Sequence, residues 1–213
     1  MATARAAQQH GRLPFPKMNP PSSLPAASPA PELRGDLAMW LLIGIEMLTF
    51  GLMFVVFAVA RTREPAVFAA GQAVLDLSAG ALNTAVLLAG SWAVARGVHA
   101  LRAGHTRGGA AGLAGGALCG LFFLGSKALE YAGLPGGEQD LSENTFFLLY
   151  FMLTGFHVMH VLAALLMLAT LAWLARDGRW SRGDAHAPET VAAFWHMVDL
   201  MWIVLFPLVY VLR

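Results

Sequence analysis

Apolar residues fill five long stretches of this 213-residue chain, and polar positions interrupt them in only a few places. The stretches predicted as membrane spans are residues 37–60, 77–98, 109–131, 146–175 and 191–212. Each reaches the roughly 20 residues that cross about 30 Å of hydrocarbon, and the fourth is long enough to tilt or protrude. No segment alternates apolar and polar residues as a membrane barrel would. The pattern therefore predicts an all-α integral membrane bundle of five transmembrane helices.

The first 36 residues differ from the rest of the chain. Seven of the eleven prolines fall between Pro14 and Pro31, and no apolar run accompanies them. We expect residues 1–36 to form a disordered, proline-rich tail and residues 37–213 to form the transmembrane domain. A secretory signal needs an apolar stretch of roughly 7–15 residues, which the tail lacks, so the first span is expected to direct insertion.

Composition agrees with a membrane protein and narrows its function. The chain is 57% hydrophobic and 13% charged, whereas soluble domains carry about a quarter charged residues. Its net charge of +1 gives no indication of a nucleic-acid partner, and the single cysteine, Cys119, excludes a disulfide framework. No phosphate loop, dinucleotide fingerprint or nucleophile–base pair occurs, so the chain is not expected to be an enzyme by itself.

Basic residues between the spans predict the orientation. Ten lie on one side of the membrane: Arg5, Arg12, Lys17, Arg34, Arg96, Arg102, Arg107, Arg176, Arg179 and Arg182. Three lie on the other side, Arg61, Arg63 and Arg213, together with the acidic Glu138, Asp140 and Glu143. The positive-inside rule therefore predicts a cytoplasmic amino terminus and an external carboxyl terminus.

Ionisable residues inside the spans are the candidate functional groups, because charges at membrane depth are costly and usually face a bundle interior. At about 1.5 Å per residue, Glu46 lies roughly 14 Å and Asp199 roughly 12 Å from the cytoplasmic side. His157 and His160 fall near the middle of their span, and His196 is slightly shallower than Asp199. We expect these five residues to meet in one buried polar cluster.

Three chemical interpretations of this cluster remain. The spacing of His157 and His160, repeated by His196 and Asp199, would suit zinc or iron. The same residue types also form hydrogen-bonded clusters across helices, which we favour over a metal or haem site. Glu46 is either neutralised by a histidine or handles protons, because an isolated buried carboxyl resists ionisation.

Two further groups concern the bundle itself. Lys127 and Glu130 are three residues apart on one helix face, near the outer boundary, and Asn83 is at a suitable depth to join them. The third span carries a repeated small-residue pattern at Gly108, Gly112, Gly116 and Gly120. This pattern predicts a helix-packing face, although a merely glycine-rich helix would look the same. Pro207 predicts a local kink late in the fifth span.

Several motifs together resemble those of a known family. They are residues 40–50 with Glu46, Asn83-Thr84, Glu130-Tyr131, 153–157 with His160-Val161, and 194–202 with Phe206 and Tyr210. Over residues 35–213 the chain resembles subunit III of the haem–copper oxidases, in the five-span form that lacks the first two helices of the seven-span type. Val158 departs from the glycine common at that position. Residues 35–40, and Lys127 in place of the more usual glutamine, resemble the branch associated with nitric oxide reductase, called NorE.

This resemblance implies a non-catalytic accessory subunit in the bacterial inner membrane. It implies no cofactor of its own, bound phospholipid, and as partner the catalytic subunit of a haem–copper oxidase or nitric oxide reductase. Two other classes stay open from the residues alone. An independent transporter usually needs an inverted repeat, which five unequal spans do not show. A haem-binding electron carrier would need histidines that face one another across helices. His157, His160 and His196 are the candidates for such ligands.

Overall fold

The structure is a computed structural model that describes residues 37–134, 144–177 and 186–212. The predicted tail at 1–36 lies outside the described residues. Six residues that were used to predict the orientation also lie outside the described residues. The acidic ones are Glu138, Asp140 and Glu143, and the basic ones are Arg179, Arg182 and Arg213.

The described residues are helical and contain no strand. In chain order they form α1 (Leu37–Arg63), α2 (Pro65–Val74), α3 (Leu77–Arg102), α4 (Thr106–Gly133), α5 (Thr145–Arg176), α6 (His186–Phe206) and a π-helical turn (Pro207–Val211). Within this part of the chain, five helices are long and apolar enough to cross a membrane, the last one including the π-helical turn. The predicted all-α fold is confirmed.

The ten-residue helix α2 is a feature that the sequence analysis did not predict. Pro65 occupies its first turn, where a missing N–H costs nothing. Phe68 of α2 is buried, with its ring 5.1 Å from that of Phe57 and 5.5 Å from that of Phe146. At ten residues α2 is too short to span a bilayer, and it instead closes one end of the bundle.

Local chemistry explains where the long helices begin and end. The Asp76 carboxylate accepts hydrogen bonds from the backbone N–H groups of Ser78 and Ala79, which caps α3 and lowers the pKa of Asp76. Asn144 caps α5 in the same way. Between α3 and α4 the chain turns at Gly104, whose φ of 81° is a left-handed conformation that favours glycine.

Four helices form the centre of the bundle. Helix α3 packs beside α4 and α6, and α5 packs beside the same two, so that the four enclose one core. Helix α1 contacts only α2, α5 and α6 among its principal neighbours, and most of its apolar side chains are exposed. These exposed apolar surfaces suit the hydrocarbon of a bilayer.

The carboxyl end of the bundle is shaped by Pro207. Because proline has no N–H, it starts a π-helical turn, in which the N–H of Leu212 donates to the Pro207 carbonyl. Gln72 of α2 donates from Nε2 to the carbonyls of Val209 and Leu212, both at 2.9 Å. This contact satisfies two terminal carbonyls and holds Tyr210 in place.

Candidate functional site

The most extensive polar group in the bundle surrounds Lys127, whose side chain is 1% exposed. Its Nζ donates to Glu130 Oε1 at 3.1 Å, to Tyr150 Oη at 3.0 Å and to Tyr210 Oη at 2.8 Å. An ammonium group has three protons, so all its donors are used. We call these four residues the lysine cluster. It joins α4, α5 and the π-helical turn.

The carboxylate of Glu130 completes the lysine cluster from the other side. Its Oε1 accepts hydrogen bonds from the hydroxyls of Tyr150 and Tyr210, each at 2.5 Å, in addition to that from Lys127. Each tyrosine hydroxyl therefore accepts a hydrogen bond from the ammonium and donates one to the carboxylate. The buried positive and negative charges are neutralised inside the bundle, as a group in hydrocarbon requires.

Aromatic rings provide a second layer around the same ammonium. Nζ of Lys127 lies 5.1–5.5 Å from the ring centroids of Tyr131, Tyr150, Trp202 and Tyr210, within the range of cation–π attraction. Hydrogen bonds hold two of these rings: Tyr131 donates to Thr154 at 2.8 Å, and Trp202 donates to Thr84 at 2.9 Å. The ammonium is thus enclosed by charge, hydroxyls and π-faces together.

Asn83 is fully buried on α3, but it makes no hydrogen bond to Lys127 or Glu130. The contacts of Gly97 with Gly112 and of Gly90 with Cys119 show that α3 and α4 run antiparallel. Continued along α3, this register places Asn83 at the depth of Lys127. The two are therefore level in the membrane without forming the extended polar group that the sequence suggested.

Glu46 and His160 form a second, separate pair. Oε2 of Glu46 lies 3.1 Å from Nε2 of His160, and Nδ1 of the same ring lies 2.8 Å from the carbonyl of Phe156. That carbonyl can only accept, so Nδ1 carries a proton and Nε2 faces the carboxyl group. The two atoms lie within ion-pair distance, although Oε2 of Glu46 accepts no hydrogen bond from the described residues. The rings of Phe50, Phe156 and Phe194 surround the imidazole at 4.6–6.3 Å.

His157 is three residues from His160 but lies in a different environment. It is fully buried, with ring centroids of Trp202 at 5.2 Å and Phe123 at 5.5 Å. Neither of its ring nitrogens has a hydrogen-bond partner among the described residues. Three residues on an α-helix turn the side chain by about 300°, so the two histidines point roughly 60° apart.

His196 and Asp199 lie on a third part of the bundle, at the junction of α3 and α6. Nδ1 of His196 is 2.8 Å from the hydroxyl of Ser91, and the imidazole is exposed on the bundle surface. Asp199 is 5% exposed, and its Oδ1 has no hydrogen-bond partner in the described part of the chain. Of the five residues expected to meet, the structure pairs Glu46 with His160, and among the described residues His157, His196 and Asp199 make no hydrogen bond or ion pair with these two.

The glycines of α4 lie against α3 and α6, with close contacts at three of the four predicted positions. Gly112 meets the backbone of Gly97, Gly116 packs against Val94, and Gly120 packs against Trp195. At Gly108, an added Cβ would lie 3.6 Å from the nearest side chain, which is an ordinary contact. At Gly112 the nearest atoms belong to backbone, so this is where the two helices have least room to adjust.

Several residues of these groups were not singled out as site residues from the sequence. They are Gln72, Ser91, Gly97, Tyr150, Thr154 and Tyr210. Tyrosine and threonine are ordinary residues in a membrane helix, so the sequence around them does not indicate which hydrogen bonds they make. The spacing of Gly90 and Gly97, two turns apart on α3, is a signal that could have identified the partner of the α4 glycines.

The arrangement as a whole neutralises charge and holds helices together. Among residues 37–134, 144–177 and 186–212, no three His, Cys, Asp or Glu side chains are grouped as a metal site would require. The lysine cluster pairs an ammonium with a carboxylate, and the second pair brings the Glu46 carboxyl to His160, while Oε2 of each glutamate accepts no hydrogen bond from the described residues. The geometry of the described groups is that of structural polar contacts between helices.

Comparison with known proteins identifies the family. The sequence profile of cytochrome c oxidase subunit III matches residues 36–213. Cytochrome c oxidase subunit 3 of Synechocystis is 32% identical over 183 residues, which cover 85% of this chain and 77% of that protein. The corresponding subunit of Thermostichus vulcanus is 30% identical over 168 residues, covering 78% and 82%. The probable subunit 3 of Nocardia farcinica is 29% identical over 168 residues, covering 79% and 83%. The chain therefore belongs to the cytochrome c oxidase subunit III family.

Proposed function

We propose that this chain is the non-catalytic third subunit of a respiratory haem–copper enzyme and supports its assembly and sustained turnover. One observation carries the proposal: the three donors of the buried Lys127 are all used within the chain, by Glu130, Tyr150 and Tyr210. Removal of either charged partner would leave the other uncompensated in the bundle, which is the behaviour of a structural ion pair. The family membership supports the accessory role.

The test is to delete the gene and to measure both the amount and the durability of the partner enzyme. An accessory subunit predicts that the catalytic subunits still assemble in part, with a near-normal initial rate that decays faster during turnover. Complete loss of chemistry in a correctly assembled complex lacking only this chain would contradict the proposal.

We further propose that the chain carries no haem or stoichiometric metal of its own. The different partners of the three histidines within the described residues support this: His160 faces Glu46, His196 faces Ser91, and His157 packs against Trp202. An absorption spectrum and elemental analysis of the purified chain test it. A Soret band that disappears in His157→Ala or His160→Ala would overturn it.

A separate proposal concerns the gas that the partner enzyme reduces. Lys127 and the residues before Trp40 support a partner of the nitric oxide reductase type, whereas the relatives named above are subunits of cytochrome c oxidases. We favour a haem–copper partner that reduces either oxygen or nitric oxide. Affinity purification of the tagged chain followed by oxygen and nitric oxide consumption assays separates the two. Consumption of neither gas by the purified complex would argue against both partners.

Membrane lipid is proposed as a further ligand. An apolar groove runs between α4 and α5. Alanines and larger apolar side chains line it, with basic groups at one end, and they include Ala114, Ala117, Leu118, Leu165, Trp173, Arg107 and Arg176. An acyl chain fits the alanine-lined part, and a phosphate fits the two guanidinium groups. Lipid extraction with mass spectrometry should find less co-purified anionic phospholipid in Arg107→Gln/Arg176→Gln than in the wild type. Equal lipid content in both would oppose this site.

The orientation, with a cytoplasmic amino terminus and an external carboxyl terminus in the bacterial inner membrane, is supported by the distribution of basic residues. Cysteines placed singly at Ser23 and Arg213, in a Cys119→Ala background, should react with an impermeant thiol reagent from opposite sides. Labelling of both positions from the same side would contradict this topology.

A further inference from the structure

A cavity of about 490 Å³ lies at one end of the bundle, where the end of α1, helix α2 and the π-helical turn meet. We call it the α1/α2 cavity. Its volume is within the usual range of sites for small molecules, about 300–1,000 Å³. The surrounding elements are held together, because the rings of Phe57 and Phe68 lie 5.1 Å apart and Gln72 donates to two backbone carbonyls at the carboxyl end. The walls of the cavity are therefore part of the fold.

Most of the lining of the α1/α2 cavity is apolar. It includes Ala58 of α1, Ala69 of α2, and Leu208 and Leu212 at the carboxyl end. No acidic side chain of the described residues lines it. A ligand that fills this space therefore needs an apolar part, and it meets no negative charge on the described walls.

Arg61 is the charged group in the described lining, and its donors are free. The hydroxyl of Thr62 donates to the carbonyl of Val59 at 2.8 Å, and Nε2 of Gln72 is used by backbone carbonyls. Arg61 forms no ion pair with any described carboxylate. Its planar guanidinium matches the oxygens of a phosphate group, to which it can donate two parallel hydrogen bonds. The polar part of a ligand here is therefore an anionic acceptor.

The position of Arg61 fits the headgroup region of a bilayer. It lies two residues, or about 3 Å, before the end of α1 at Arg63. The start of α5 is at the same end of the bundle, since the rings of Phe57 and Phe146 lie 6.2 Å apart, whereas Arg176 marks the other end of α5. The α1/α2 cavity is therefore at the end of the bundle opposite to the basic groups of the α4/α5 groove.

We propose that the α1/α2 cavity binds one phospholipid of the leaflet at that end, with a phosphate oxygen on the Arg61 guanidinium and acyl carbons against the alanine and leucine side chains. An arginine near a helix end is ordinary, because a cation there complements the helix dipole. Arg63 has that role equally, but it is not part of the described lining. Inorganic phosphate would satisfy Arg61 and leave the apolar lining without a partner, so a phospholipid matches the cavity better. This site depends neither on the partner enzyme nor on the α4/α5 groove.

Photocrosslinking of a lipid tests the location. Phosphatidylglycerol with a diazirine in one acyl chain is added at subsaturating concentration to the purified full-length chain, in the Arg107→Gln/Arg176→Gln background that removes the basic groups of the other groove. We expect adducts on peptides of α1, α2 and the π-helical turn, with a yield about tenfold lower in Arg61→Gln and unchanged in the matched control Arg63→Gln. Equal yields in the two variants, or adducts confined to other helices, would overturn the proposal.

Competition identifies which part of the ligand is recognised. Unlabelled dioleoylphosphatidylglycerol should reduce the adduct. Dioleoylglycerol, which has no phosphate, and inorganic phosphate, which has no acyl chain, should each compete at least about tenfold more weakly. Equal competition by dioleoylglycerol would refute the phosphate contact. Equal competition by inorganic phosphate would assign the cavity to a free anion and refute the phospholipid.

Filling the cavity tests its apolar part. In Ala69→Trp the indole takes the space of the acyl chain while Arg61 is retained, so we expect the adduct on these elements to be lost. Ala70→Trp, on the same helix but outside the described lining, is the matched control and should keep the unsubstituted yield. Thermal unfolding in detergent shows whether each variant is folded, and Ala58→Leu on the opposite wall replaces Ala69→Trp if the latter is not. An unchanged adduct yield in a folded cavity-filling variant would show that the acyl chain lies elsewhere.

Discussion

Among the glycines of the described residues, Gly112 is the one at which an added methyl group would lie nearest to backbone atoms of another helix. A methyl group added at Gly112 would lie 2.5 Å from Cα of Gly97 and 2.7 Å from both the Gly97 nitrogen and the Ala93 carbonyl oxygen. Favourable contacts between carbon atoms occur at about 3.5–4.0 Å. Helix α3 would therefore have to move by roughly 1 Å in Gly112→Ala, because backbone atoms cannot rotate away as a side chain can.

The expected magnitude follows from two opposing effects. Overpacking of a well-packed interior costs about 1–3 kcal/mol, and a contact with backbone belongs in the upper half of that range. Replacing glycine by alanine within a helix returns about 0.5–1 kcal/mol. We therefore expect Gly112→Ala to lower the free energy of unfolding by about 1–2 kcal/mol. For a protein of this size, that loss lowers Tm by roughly 2–8 °C.

Two glycines of the same helix provide matched controls. At Gly115 an added Cβ would lie 3.5 Å from the Ala93 side chain, and at Gly125 it would meet nothing within 4 Å. Gly115→Ala and Gly125→Ala should leave Tm unchanged or raise it slightly, since only the helical preference changes. Thermal unfolding in detergent, followed by circular dichroism, compares all three. A Tm for Gly112→Ala equal to or above that of Gly115→Ala would refute the packing argument.

Three further predictions concern charged groups. Lys127→Met leaves the buried Glu130 carboxylate without its cation and should cost about 3–5 kcal/mol, seen as reduced membrane accumulation and a lower Tm. The double variant Lys127→Met/Glu130→Gln should recover part of this loss, and equal losses in both variants would show that the residues do not interact. Glu46→Gln retains the shape and hydrogen bonding of the side chain beside His160, so the complex should assemble with near-normal initial activity; a fall in turnover with a shifted pH profile would instead indicate proton transfer. At Asp76 the backbone N–H groups hold the pKa below its ordinary 3.8, so the cap contributes fully above that pH and its contribution is lost as the pH falls through the folded-state value. The Tm difference between wild type and Asp76→Ala should therefore be constant near neutral pH and shrink in acid, and a difference independent of pH down to complete protonation would contradict the capping role.

The five spans could be predicted because the hydrocarbon of the bilayer imposes the same requirement on each segment, independently of the other segments. A stretch of about 20 apolar residues must adopt a helix in hydrocarbon, whatever its neighbours do, since every backbone group has to be satisfied within the segment. Helix α2 was not predicted, because this requirement applies only to segments that are long enough to cross the bilayer. Its ten residues are apolar but too few to span, so only its contacts, Phe68 with Phe57 and Gln72 with the carboxyl end, reveal it as a helix of the bundle.

The grouping of the polar residues was predictable only in part. The proximity of Lys127 and Glu130 follows from helical spacing, because residues three apart share a face. Tyr150 and Tyr210 come from 23 and 83 residues away and meet Lys127 only through the packing of their helices. Depth placed Glu46 level with several histidines, yet the rotation of α5 selected His160 and turned His157 into the core.

What the sequence by itself determined about this protein is therefore the number of membrane helices, their approximate ends, and the depth of each ionisable group. These depend on local composition and on a constant rise per residue. The tertiary structure alone decided which faces meet: the contact of Gly97 with Gly112, the enclosure of Lys127 by tyrosines, and the exposure of His196. Lipid turns the few ionisable side chains inward, but it does not choose among the neighbouring helices, so the rotation and tilt of each helix are set by packing against its neighbours.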